Sequence, residues 1–98
     1  MPRLTLSPRA QTDLVEIWSY IADDNEVNAD AFVERLNTAL RMLVQQPDAG
    51  RRREDLAAGL RSFPVGRYII FYHSRKTTLE IVRVLHAARN IEPLFEEN

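Results

Sequence analysis

Residues 60–87, "LRSFPVGRYIIFYHSRKTTLEIVRVLHA", decide the fold, because here the apolar residues stop recurring every three or four positions and begin to cluster in short runs. Three β-rich runs follow one another: 60–65, 67–73 and 79–87. Gly66 separates the first two and "SRKTT" the last two, both spacings that suit hairpins. Pro64 offers no amide hydrogen to a neighbour, so the first run is expected at a sheet edge. Strand alternation puts Tyr68, Ile70 and Tyr72 on one face and Ile69, Phe71 and His73 on the other. By the same rule Arg83 shares a face with Ile81 and Leu85, and His86 faces the opposite way with Val82 and Val84. Arg83 and His86 can meet only if the strand bends or bulges.

Upstream the spacing is helical. "RLTL" (3–6) alternates and fits a short strand. "SPRA" after it is a helix start, with Ser7 capping free amides and Pro8 at the first helical position. Ala10, Leu14, Ile17 and Ile21 then recur on one stripe, with Val15, Trp18 and Tyr20 expected to widen it and Asp13, Glu16, Asp23 and Asp24 falling largely elsewhere. This helix is expected to end near "DDNE". A second is expected to start at a capping Asn28, bury Phe32, Leu36, Leu40 and Leu43, and stop before Pro47. So short a link predicts an antiparallel hairpin over about 8–46. "DAGRRREDLAAGL" reads as a polar loop, and residues 90–98 as a tail. The order predicts one α+β domain over residues 1–98. A short N-terminal strand and an antiparallel helix hairpin precede a three-stranded antiparallel meander at about 60–87, with the hairpin on one face of the sheet.

Composition narrows the chemistry. With no cysteine in 98 residues, disulfides, thiolate nucleophiles and cysteine-held metals are excluded. Two histidines, His73 and His86, do not make a zinc site. No cofactor and no metal are expected. The first ten residues lack the apolar core of a signal peptide and no apolar run is long enough to span a membrane, so a cytoplasmic protein is the expectation. The net charge of −1 conceals a bias. Residues 1–50 carry four arginines against eight acids, whereas residues 51–91 carry nine basic residues against three acids. A basic sheet half looks towards an acidic partner or nucleic acid.

No nucleotide loop, metal cluster or nucleophile elbow is present. The triple arginine of "GRRRED" (50–55) is read as a solvated surface loop in preference to a phosphate clamp. The sheet aromatics leave two readings open: core on both faces, or an exposed partner groove on the face the helices do not cover. Arg83, set among apolar residues, calls for a carboxylate or carbonyls, and a structural pair with a helix acid is the expectation. Arg89, beyond the strand, has no such constraint and is the stronger candidate for a functional contact.

"LSPRAQTDLVEIWSYIADDN", "GRRREDLAAGLRSFPVGRYIIFY" and "IVRVLHAARNI" together resemble the ParE branch of the RelE/ParE toxins of bacterial toxin–antitoxin pairs, from about Leu4 to Ile91. The resemblance implies the fold just described and a cognate antitoxin that binds the toxin directly and neutralises it. It also implies action on DNA gyrase, trapped on cleaved DNA so that replication stalls. This would be a protein inhibitor and not an enzyme, with no sequence-specific nucleic-acid binding of its own and no membrane partner. Arg83, His86 and Arg89 fall on the family's motif positions. The RelE branch instead cuts messenger RNA on the ribosome with arginine, lysine and tyrosine side chains, and Arg61, Arg67, Tyr68, Arg75, Lys76 and Arg83 would supply such groups. The net charge of −1, a pI near 6.1 and the acidic ending "IEPLFEEN" favour the gyrase reading. The candidate contact residues are therefore Arg83, His86, Arg89, Arg61, Arg67, Tyr68 and Tyr72, with none catalytic.

Overall fold

The computed structural model describes residues 2–96 and builds the chain in the expected order. Strand β1 (Arg3–Leu6) leads into helix α1 (Pro8–Asp24) and helix α2 (Glu26–Gln45). Strands β2 (Arg51–Arg52), β3 (Leu60–Val65), β4 (Tyr68–Ser74) and β5 (Thr78–His86) follow, and a five-residue helix α3 (Glu92–Glu96) comes last. The last two residues of the expected tail, 97 and 98, lie outside the described residues.

The caps explain the helix hairpin. The Ser7 hydroxyl accepts from the Ala10 amide at 3.0 Å, and Pro8 opens α1 as its ring geometry favours. A single residue, Asn25, joins the helices, where the sequence suggested Asn28 as the cap. Its amide donates to the Ile21 carbonyl at 2.9 Å and closes α1, while its side-chain oxygen accepts from the Asn28 amide at 3.0 Å and opens α2. Asn28 is the receiver of that cap, three residues in. Trp18 Nε1 donates to Asp30 across the hairpin at 3.0 Å, tying the two helices together near their junction.

The meander extends into a five-stranded sheet of order β1-β5-β4-β3-β2. β1 lies parallel to β5, with Arg3 opposite Thr78, and the other pairings are antiparallel. Part of the expected loop forms β2, whose Arg51 and Arg52 pair with Ser62 and Arg61. β3 runs past the end of β2, and Phe63–Pro64–Val65 forms an open stretch of edge where the missing Pro64 amide costs nothing.

Both faces of the sheet are covered. On one, Leu36, Ala39, Leu40 and Leu43 of α2 and Ala10 and Ile17 of α1 pack over Ile70, Tyr72, Leu79, Ile81 and Val84. On the other, Leu60, Phe71 and Leu85 lie under Leu56, Ala57, Ile91, Leu94 and Phe95, with the Phe71 and Phe95 rings 4.9 Å apart. The second face is thus core and not an open groove. A five-residue helix is too short to announce itself by periodicity.

α1 also differs from its expected stripe. Val15 and Tyr20 are mostly exposed, whereas Asp13 is buried in line with Ala10 and Ile17. Steps of three and four residues carry the inner face through 10, 13 and 17, so a carboxylate occupies a core position. Its partner is in β5.

Candidate functional site

β5 is irregular opposite α1. Phe71 faces Arg83 and Tyr72 faces Ile81, so Val82 has no partner in β4. The extra residue flips the alternation. Leu79 and Ile81 face the helices before it, Val84 faces them after it, and Val82 and Leu85 face the other layer. The expected grouping of Arg83 with Ile81 and Leu85 therefore fails, because regular alternation does not survive the bulge. Val84 and His86 do share a face.

α1 holds the bulge in place. The Ser7 amide donates to the Ile81 carbonyl at 2.9 Å and the Ser7 hydroxyl donates to the Val82 carbonyl at 2.8 Å. One Asp13 oxygen accepts from the Val84 amide at 3.0 Å and from Arg83 Nε at 2.8 Å, and the other accepts from Arg83 Nη2 at 3.0 Å. Arg83 is 9% exposed and Asp13 7%, so this bidentate pair belongs to the interior. The sequence argument for an ion pair to a helix acid identifies the chemistry, and Asp13 is that acid. Arg83 does not reach the surface as a partner contact.

The other candidates separate into two groups. Tyr72 is fully buried; its hydroxyl accepts from the Gly50 amide at 2.9 Å and donates to the Pro47 carbonyl at 2.8 Å. A Cβ on Gly50 would lie 2.7 Å from Tyr72 Cε1, so only glycine lets the loop approach the ring this closely. Arg61 donates to the Asp48 and Gly50 carbonyls at 3.3 and 2.8 Å and holds the same loop. Both residues shape the chain. Of the three loop arginines, Arg53 forks onto Asp55 at 3.1 Å over the Phe71 ring, and the Arg53 guanidinium holds the Asp55 carboxyl below its ordinary value.

Burial raises the Tyr72 phenol above the ordinary 10.0, against the opposing effect of the Gly50 hydrogen bond, and burial also raises Tyr68. A raised phenol favours the folded state fully below pH 10, and this contribution is lost as pH climbs through the folded value. Stability measured by urea unfolding is expected to hold from about pH 7 to 9 and to fall above about 10, and Tyr72→Phe is expected to make that fall shallower. An equally steep fall in the variant would show that Tyr72 is not the group responsible.

Arg67, Tyr68, His86 and Arg89 come together at the end of the sheet that faces the hairpin junction. Tyr68 packs against Phe32 with ring centroids 5.0 Å apart and meets His86 edge-on at 5.1 Å. His86 Nδ1 accepts from the Ala88 amide at 3.1 Å, which leaves Nε2 as the donor of a neutral ring. A cleft of about 650 Å³ opens here, lined by Tyr20, Phe32, Arg35, Arg67, Tyr68 and His86, among others. A smaller adjoining hollow shares Tyr20, Tyr68 and His86 and adds Arg89 and Glu16. Sequence reasoning missed Arg35 and Tyr20 in this role. Arg35 is brought in by the β3–β4 turn, where Gly66 has φ +59° and a Cβ would stand 3.2 Å from Arg35 Nη1.

A second cleft, about 520 Å³, runs between α2 and the open edge of β3. Ala39, Met42, Phe63, Pro64 and Val65 give it an apolar floor, with Glu34 and Arg35 at the rim. Among the described residues no helix is long and apolar enough to cross a membrane.

Comparison with known proteins gives consistent matches. Residues 4–91 match the family described as the ParE toxin of type II toxin–antitoxin system, parDE. The chain is 35% identical over 86 residues to Toxin ParE1 of Caulobacter vibrioides, covering 87% of this chain and 88% of that protein. It is 32% identical over 92 residues to Toxin ParE1 of Mycobacterium tuberculosis, covering 92% of this chain and 94% of that one. Its fold superposes on a chain of the chromosomal ParDE TA system from P. aeruginosa with a TM-score of 0.73 at 21% identity, over 88% of this chain and 96% of the other.

Proposed function

Since this chain belongs to the ParE family of type II toxin–antitoxin toxins, we propose that it stalls replication by inhibiting DNA gyrase as a protein ligand, in the cytoplasm, and is silenced by direct binding of a cognate antitoxin. The observation that carries this reading is the family match along residues 4–91. The site chemistry supports it. Arg83 and Arg61, which a phosphodiester-cutting reading would use, are committed within the fold to Asp13 and to the Gly50 loop. The raised Tyr68 phenol is a poor base at neutral pH. Arg67, Tyr68, His86 and Arg89 remain together at the surface, and this cluster also keeps messenger-RNA cleavage as the alternative.

The antitoxin is assigned to the apolar cleft between α2 and β3. It offers Met42, Phe63 and Val65 to an amphipathic helix and an unpaired strand edge beside them.

Supercoiling and DNA cleavage by purified gyrase, with refolded antitoxin-free protein added, test the proposal. Lost supercoiling with accumulated cleaved DNA is expected. Arg89→Ala is expected to weaken this at least tenfold, and Met42→Glu to spare it but to escape neutralisation. Unaffected gyrase, with the protein folded and binding antitoxin, would discard the gyrase reading. Degraded messenger RNA on translating ribosomes would then establish the alternative.

A further inference from the structure

The 650 Å³ cleft at the hairpin junction combines three features of a ligand seat. Its lining includes two arginines, Arg35 and Arg67, and no carboxylate, in a chain whose net charge is −1. Both residues are exposed, and neither guanidinium has a hydrogen bond or ion pair among the described residues. Arg35 comes from the acidic helical half and Arg67 from the β3–β4 turn of the basic sheet half, and both line the same open space. Aromatic rings stand beside them: Tyr20, which is 74% exposed, and Tyr68, fixed by Phe32 on one side and His86 on the other. His86, with Nδ1 occupied by the Ala88 amide, can turn an Nε2 donor towards an oxyanion.

We propose that this cleft seats single-stranded nucleic acid. Arg35 and Arg67 hold a backbone phosphate and the Tyr20 and Tyr68 rings receive an unstacked base. Guanidinium forks suit phosphate oxygens, and aromatic faces beside a cationic groove take any base, so no sequence preference follows. The Gly66 turn positions the seat, since the Arg35 guanidinium rests against a backbone that carries no side chain there. An acidic peptide is the less favoured occupant, because it would use the arginines and leave the exposed Tyr20 ring without a partner. The carboxylates of Asp23 and Asp24 line the neighbouring hollow beside Tyr20, outside the lining of this cleft, and limit the affinity rather than occupy the seat.

The test is fluorescence anisotropy of labelled six-nucleotide dT and rU oligomers with the refolded full chain at low salt, against a glutamate hexapeptide. Binding of either oligomer is expected, with a log–log salt slope near −1.4 for about two phosphate contacts. Arg35→Gln and Arg67→Gln are each expected to weaken it about 3–10-fold, and Tyr20→Ala about fivefold or more. Arg9→Gln, an exposed change on the far end of α1, is expected to leave it unchanged. Far-UV circular dichroism confirms that each variant is folded. Preference for dT or for rU would name the source of the strand, and equal binding would show readout of phosphate and base alone. Three results overturn the proposal: no binding at millimolar protein, binding indifferent to Arg35, Arg67 and Tyr20, or a glutamate peptide that binds as tightly as the oligomers.

Discussion

Asp13→Ala is expected to remove about 3–5 kcal/mol of stability, out of about 5–15 kcal/mol for a domain of this size. The loss is large because the substitution takes the carboxylate away from two groups at once. Arg83, 9% exposed, loses its bidentate carboxylate, and the Val84 amide loses its acceptor. Burying a charge without its partner costs far more than the pair itself contributes. The double change Asp13→Leu/Arg83→Met should therefore recover much of the loss, since apolar side chains of similar volume can fill the site. It should still fall short of the parent by about 1–3 kcal/mol, because the Val84 amide at the bulge stays unsatisfied. Urea unfolding of the three proteins measures both quantities. A single variant losing less than about 1 kcal/mol would mean that water or a local shift replaces the carboxylate.

Phe71→Ala carries the second large effect, again about 3–5 kcal/mol. Phe71 has no exposed surface, and its ring is enclosed by Leu60, Leu85 and Phe95, so truncation leaves a cavity the sheet backbone cannot close. Phe95→Ala, on the half-buried side of the same contact, is expected to cost less than half as much. The comparison tests whether α3 is part of the core. A cost for Phe71→Ala below about 1 kcal/mol would show that this face relaxes once its cover moves.

These two sites show where the sequence could be read and where it could not. The Ser7–Pro8 start, the α2 stripe from Phe32 to Leu43 and the β3–β4 hairpin at Gly66 are legible because each rests on residues a few positions apart. Asp13 is not, since a carboxylate on an apolar stripe makes sense only beside Arg83, 70 residues later. The bulge at Val82 is equally silent, because its compensating bonds come from Ser7, the N-cap of α1, and Asp13 within it, and not from β5. α3 escapes notice because Leu94 and Phe95 acquire meaning only over Phe71 and its neighbours. At the candidate site, Tyr68, His86, Arg67 and Arg89 are legible from their chemistry and their place at strand ends. Arg35 is indistinguishable in sequence from any other helix-surface arginine until the Gly66 turn folds back beside it.

The parallel pairing of β1 with β5 has a consequence for synthesis. Arg3 meets Thr78, and Ser7 is bonded to the Ile81 and Val82 carbonyls, so β1 waits for β5, the last strand of the sheet in chain order. Contacts of such sequence separation form late, because the whole intervening chain must be closed into a loop first. A nascent chain therefore lacks its complete sheet until residue 86 has left the ribosomal tunnel, and the Asp13 carboxylate lacks the partners described above until residues 83 and 84 have done so. Translation itself thus sets the earliest moment at which the complete fold can form.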